Sequence, residues 1–384
     1  MKKFENLVFL WVGICTALAC LLTPPLAVVE GATLPAGFSE SVVLSGLTQP
    51  TSVRFSPDGR VFVAEKSGLI KVFANLSATT PTIFHDLRTN VHNFWDRGLM
   101  GLTLHPNFPT VRSVYVIYTY DKDPTNPQVP RWGTPGATSD GCPTPPGPTT
   151  DGCVVSGRVS RLEASSGSNV STGTESVLVE GWGQQYPSHS MDTIMFGPDG
   201  ALYASAGDGA SFTFSDYGQD GSPLNPLGDP PVGIGGVQTP PTAEGGRTRS
   251  QSLRRVSGPA VLNGTLIRID PFTGAALSDN PLSANTDPNA RRIVGYGFRN
   301  PFRFTFRPGT SKEPRPSRRG FCKPRESLPP LRYGLPFLPA LPSGVSWQIF
   351  MNSGSETSGG ELGGDRPDSQ SPRLSRAQLR LALL

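Results

Sequence analysis

Three short polar segments hold the residue types with which this chain could do chemistry. Pro187-Ser188-His189-Ser190 leads into an apolar strand and offers an imidazole, whose ordinary pKa near neutrality suits a general base. From position alone, that role and a purely structural one both stand open. Arg299 and Asn300, adjacent in GYGFRNPFRFTF at 295–306, set a fixed cation beside an amide and suit an anionic or carbonyl-rich ligand. WDRGLMG at 95–101 places Asp96 and Arg97 ahead of another apolar run. The remaining histidines are less informative: His105 in Leu-His-Pro reads as a turn cap, and His85 and His92 have no evident partner. Asp208, Asp216 and Asp220 suggest either a calcium loop or, in turns this rich in glycine, carboxylates that serve backbone geometry.

The elements that must position these residues are hairpins. FSPDGRVFVAEKSG at 55–68 and FGPDGALYASAGDG at 196–209 share one plan: an apolar strand, a Pro-Asp-Gly turn, an alternating strand and a glycine turn. Asp-Gly supplies the turn residues of a tight hairpin, and period-2 alternation marks half-buried strands. LHPNFPTVRSVYVIYTY at 104–120 is a looser copy, and FRPGT at 306–310 begins another. VVSGRVSRLEA at 154–164 and LNGTLIRIDPFTG at 262–274 end in turn chemistry expected after outer strands. Repeated strand-turn-strand units of this kind are how propeller blades appear in sequence. The fold class expected is therefore all-β, with three full blades and part of a fourth legible. Long Pro/Gly-rich insertions at 121–156 and 216–259 would lie on one face, where loops build ligand sites. His189, Arg299 and Asp96 all stand where blade strands begin and are expected to face one cavity.

Composition agrees. Among 384 residues there are 44 glycines and 40 prolines but only 17% charged residues, a turn-rich balance unlike that of a helical bundle. The formal net charge of +4 is small, and no basic run interleaves with aromatics, which excludes a nucleic-acid surface.

Met1-Lys2-Lys3, an apolar stretch from 7 to 22 and a small-residue region ending at 32 form the parts of a secretory signal peptide, with an uncleaved anchor as the alternative. The chain is thus expected to be secreted or periplasmic, without stable membrane insertion after cleavage. In an oxidising compartment Cys142 and Cys153, bracketing a short Pro/Gly-rich loop, would form a disulfide and leave Cys322 single. Residues 311–384 are rich in Pro, Arg and Ser and lack hairpin copies; a shifted reading frame or a natural basic tail would both give this character. The expected organisation is a signal peptide at 1–32, a partial propeller at 33–310 and a disordered tail at 311–384.

GLMGLTLHPNF, HSMDTIMFGPDGALYASAGDG and GYGFRNPFRF, in this order, resemble the soluble quinoprotein glucose dehydrogenase and sorbosone dehydrogenase family over roughly 34–310. The resemblance implies a six-bladed propeller, incomplete here, that binds pyrroloquinoline quinone (PQQ) centrally, uses calcium to hold it, and oxidises aldose-type sugars with an external electron acceptor. It implies His189 as the base for the anomeric hydroxyl, Arg299 polarising the quinone carbonyl, Asn300 on the same edge and Asp96 as a sugar- or cofactor-contacting side chain. Two departures are visible. Ser188 stands where an acidic or amide residue is common, and no counterpart is seen for the family's calcium ligands or the cations that pair with the cofactor's carboxylates. Truncated activity is one expectation; the alternatives are a propeller that binds carbohydrate or protein without turnover and a calcium-dependent lactone hydrolase propeller.

Overall fold

The computed structural model describes residues 36–122, 131–141, 155–184, 187–209 and 260–306, together with the backbone of 347–352 and 377–383. Both Pro-Asp-Gly turns close hairpins by the same local chemistry. Asp58 Oδ1 accepts the Arg60 N–H at 3.3 Å and Asp199 Oδ1 accepts the Ala201 N–H at 3.2 Å, while Gly59 and Gly200 take φ of 91° and 78°. Asx turns with a left-handed glycine fix where each strand restarts, and so fix its register.

Among the described residues three four-stranded antiparallel sheets result. After β1 (Ser39–Leu47), the first blade is β2 (Pro50–Phe55), β3 (Val61–Glu65), β4 (Leu69–Phe73) and β5 (Thr82–Asp86). The second is β6 (Leu99–Leu104), β7 (Ser113–Tyr120), β8 (Val155–Ala164) and β9 (Ser171–Gln184). The third is β10 (Met191–Phe196), β11 (Leu202–Ala206), β12 (Thr265–Ile269) and β13 (Ile293–Tyr296), with a five-residue helix, α1 (Pro288–Arg292), before its last strand. Strand order follows the chain in every one of these sheets, and β6 packs against both β2 and β10, the innermost strands of their blades. These are the blades of a β-propeller. β14 (Trp347–Asn352) and β15 (Ala377–Leu383) pair with each other, and β15 pairs with β1.

Burial follows from the alternation. Phe62, Ile70, Phe84, Leu102, Phe108 and Val116 form the core between the first two blades, and Ile117, Val159, Trp182, Ile194 and Ile267 that between the second and third. Each such side chain removed from water stabilises the fold by about 1.5–3 kcal/mol. The blades approach closely at Gly101, where a Cβ would lie 2.7 Å from Ile117 Cγ2 and 3.1 Å from the Asp192 carbonyl oxygen.

The chain comprises two compact units, Met1–Ser39, of which 36–39 are described, and Glu40–Leu384, which contains the three described blades. The expected signal peptide, Cys142, Cys153 and Cys322, Asp216 and Asp220 lie outside the described residues, as does most of 311–384.

Candidate active site

The innermost strands begin in a repeated and strained way. Gln49, Trp95 and His189 have φ of 46°, 51° and 53°, and each precedes one of the three strands β2, β6 and β10. Non-glycine residues rarely adopt this conformation, which is concentrated at functional sites. Each strand then carries a register shift at its start, between Pro50 and Ser52, Leu99 and Gly101, and Met191 and Ile194. Bulges of this kind re-aim side chains beside active sites.

At the third blade the hairpin register brings three groups into line. Gly207 N–H donates to the Ser190 carbonyl at 2.9 Å and Gly209 N–H to the His189 carbonyl at 3.0 Å, so Asp208 stands opposite His189. Asp208 Oδ1 lies 2.8 Å from His189 Nδ1, with both side chains buried. An Nδ1–H donated to this carboxylate makes Nε2 the basic nitrogen of the neutral ring. The Arg299 guanidinium reaches Asp208 Oδ2 at 3.2 Å, and the Asp208 N–H donates to the Arg299 carbonyl at 2.9 Å. Half of the Arg299 side chain, 51%, remains exposed. Asn300 follows it on the exposed side.

From the second blade, Asp96 clamps the histidine segment. Its N–H donates to the Pro187 carbonyl at 3.1 Å and its Oδ2 accepts the His189 N–H at 3.4 Å. Ser190 Oγ donates to Gln184 Oε1 at 2.9 Å and lies 2.7 Å from Thr119 Oγ1. Buried Arg97 donates to the Gln184 carbonyl at 3.3 Å. Lys66, just after β3, donates to Asn93 Oδ1, and Asn93 N–H donates to Asp140 Oδ2 at 3.1 Å, so residues 131–141 brace the loop that carries Asp96. Burial pulls the Lys66 ammonium down to about 8, against the opposing pull of Asp96 and Asp140.

Asp96, His189 and Arg299 are thus brought together, with Asn300 beside them on the chain. Asp208, read from sequence as a candidate calcium or turn carboxylate, holds the imidazole instead; its place opposite His189 follows from counting outward from the Pro-Asp-Gly turn. Lys66 and Asp192 were not singled out in the sequence. Asp192, on β10, is 2% exposed, and its Oδ2 has no hydrogen-bond partner among the described residues. His85 Nδ1 meets Ser171 Oγ at 2.6 Å, and His92 is buried, its protonation suppressed to about 2 by burial and by neighbouring Arg97 and Lys66. Neither is part of the His189 cluster. Among the described residues there is no group of three His, Cys, Asp or Glu side chains that could hold a metal, and no helix long and apolar enough to cross a membrane.

Residues 47–224 match the family described as Glucose / Sorbosone dehydrogenase. Hedgehog-interacting protein is similar to this chain in mouse, at 30% identity over 173 residues, and in human, at 31% over 179; each match covers 44% of the chain. The chain spans only 22% of the length of these relatives. Among solved structures, a putative glucose dehydrogenase of Thermus thermophilus is similar with a TM-score of 0.46 and 23% identity, over 71% of this chain and 58% of that one. The PQQ-bound aldose sugar dehydrogenase of Streptomyces coelicolor is similar with a TM-score of 0.41 and 18% identity, over 70% and 57%.

Proposed function

Residues 47–224 belong to the glucose/sorbosone dehydrogenase family, and from that premise we propose that this chain oxidises an aldose-type sugar with PQQ as the resident acceptor and an external acceptor to re-oxidise it. The observation that carries the reading is the His189–Asp208 pair at 2.8 Å, set beside Arg299 at the start of an innermost strand.

The donor set fits PQQ at the reacting edge. The Arg299 and Asn300 side chains offer a cation and an amide to carbonyl and carboxylate oxygens, and buried Asp192 Oδ2 is a polar atom that calls for a ligand partner. PQQ, when bound, supplies a quinone that accepts two electrons as hydride. His189 Nε2 takes the proton of the anomeric hydroxyl as the hydride leaves the anomeric carbon, so the sugar becomes a lactone. Asp208 holds the ring in the required tautomer and stabilises the imidazolium that forms, a role of buried carboxylates beside catalytic histidines. Arg299 would place its half-exposed guanidinium against a carbonyl oxygen of that acceptor. Asp96 keeps the His189 backbone in its left-handed conformation by accepting the His189 N–H at 3.4 Å. Among the described residues no cluster of His, Cys, Asp or Glu side chains offers calcium a site. Export through the segment at 1–32, a Cys142–Cys153 disulfide and a separate character for 311–384 are parts of the same proposal.

A second reading, a propeller that binds a carbohydrate or protein partner without turnover, draws on the 30% identity with Hedgehog-interacting protein over 173 residues. One experiment separates the two: the purified chain, supplied with PQQ and calcium, is assayed for dye reduction across a panel of aldoses. Sugar-dependent reduction supports the dehydrogenase. Saturable sugar binding without reduction supports the binding module.

A further inference from the structure

We propose that Asp192 is a ligand-contacting hydrogen-bond donor, contributing a carboxyl O–H to a carbonyl or hydroxyl oxygen of the molecule held beside His189. This rests on the reading of the site as a PQQ and sugar site and adds a residue to it.

The argument begins with the backbone. Pairing of β10 with β11 runs regularly from Phe196 to Ile194, then slips before Met191, so Asp192 and Thr193 sit in the irregular stretch. Thr193 uses that freedom to bond outward, its N–H to Ser205 Oγ at 3.4 Å and its hydroxyl to the Phe302 carbonyl at 3.3 Å. Asp192 does not. Its carboxyl is buried, and Oδ2 has no hydrogen-bond partner among the described residues. A buried carboxyl oxygen that pairs with nothing carries its full desolvation penalty, so this one calls for a partner that binds.

The charged groups around it decide its form. Asp96 and Asp208 face it with like charge, and Arg303 with opposite charge. Arg303 meets the Asp192 carbonyl oxygen at 3.5 Å and also reaches the Phe302 carbonyl at 2.9 Å and the Thr51 carbonyl at 3.3 Å. Burial, reinforced by the two neighbouring carboxylates, holds the Asp192 carboxyl well above the ordinary carboxylate range. A neutral acid donates a hydrogen bond, which a carboxylate cannot do. A quinone carbonyl, a carboxylate oxygen or a sugar hydroxyl is the complementary acceptor.

The test is infrared difference spectroscopy on the full chain, wild type minus Asp192→Asn, at neutral pH, without ligand, with PQQ and with glucose. The expected spectrum contains a protonated-carboxyl C=O band that is lost in Asp192→Asn and shifts when PQQ or glucose binds. In parallel, calorimetric titration should give Asp192→Asn, which keeps a donor, an affinity within a few-fold of wild type, and Asp192→Leu a loss of about tenfold or more. Absence of the band, or a band unmoved by a ligand whose binding calorimetry records, overturns the donor role. If PQQ fails to bind while glucose binds, the PQQ reading fails and the glucose spectrum decides for Asp192; if neither binds, the ligand-contacting role is overturned with it. Asp192→Leu binding as wild type, while His189→Ala binds weakly, overturns the Asp192 proposal and leaves the site reading intact.

Discussion

His189 and Asp208 face each other across the first hairpin of the third blade, Nδ1 2.8 Å from Oδ1, with both side chains buried. Asp208→Asn should therefore change the chemistry of the ring without moving it. The amide can present its NH₂ to Nδ1 and stabilise the other tautomer. Nitrogen NMR of the labelled imidazole should report Nε2 basic in wild type and a mixed or reversed tautomer in the variant. In turnover the same change should lower kcat by about 10²–10⁴-fold. An unchanged tautomer and an unchanged kcat would contradict the role given to Asp208.

Gly101→Ala tests the packing of the innermost strands. The added methyl would meet Ile117 Cγ2 at 2.7 Å and the Asp192 carbonyl at 3.1 Å, and a backbone carbonyl has little room to yield. Overpacking of this kind costs about 1–3 kcal/mol. Denaturant melts should show a lower midpoint with an unchanged slope. A midpoint equal to wild type would mean the blades sit farther apart than described.

Asp121 gives a pH dependence. Burial raises its carboxyl from 3.8 to about 7, with Asp140 reinforcing the shift and Arg131, 2.8 Å away, opposing it. The unfolded chain ionises Asp121 first as pH rises, so the contribution to stability is full below the unfolded pKa and is lost through the folded one. Between about pH 4 and 7 the wild-type Tm should fall relative to that of Asp121→Asn, whose side chain does not ionise. Parallel Tm profiles would rule this out.

How much of this was legible in the sequence depends on the distance between groups along the chain. The blades were legible because Asp58-Gly59 and Asp199-Gly200 fix local turns, and a fixed turn fixes the register of the strands it joins. His189 was legible as a strand-start residue. Asp208 was within reach of the same arithmetic, since it lies opposite His189 in one hairpin. Lys66 was not, because its approach to Asn93 depends on the left-handed turn at Trp95 and on residues 131–141 packing over that loop. The pairing of Arg299 with Asp208 depends likewise on the path taken after β13. The bulge that isolates Asp192 has no mark in the residues around it.

Lys71 tests the first blade's interior. Its Nζ lies 2.6 Å from Glu65 Oε1, which also accepts the Thr48 N–H at 2.7 Å, and Glu65 is buried. Lys71→Met removes the cation and leaves the carboxylate in place, a change that costs about 3–5 kcal/mol where a buried charge loses its partner. Glu65→Gln with Lys71→Met together should recover part of the loss. Single and double variants of equal stability would show that the pair contributes nothing.

The most direct measurement of the central claim is a single turnover. Protein loaded with PQQ is mixed rapidly with glucose, and reduction of the bound quinone is followed by its absorbance in wild type and His189→Gln. The account predicts rapid reduction in wild type and reduction slower by about 10²–10⁴-fold in a variant that still binds PQQ. Equal rates in the two proteins, or no reduction in a wild-type protein that binds both PQQ and glucose, would contradict it.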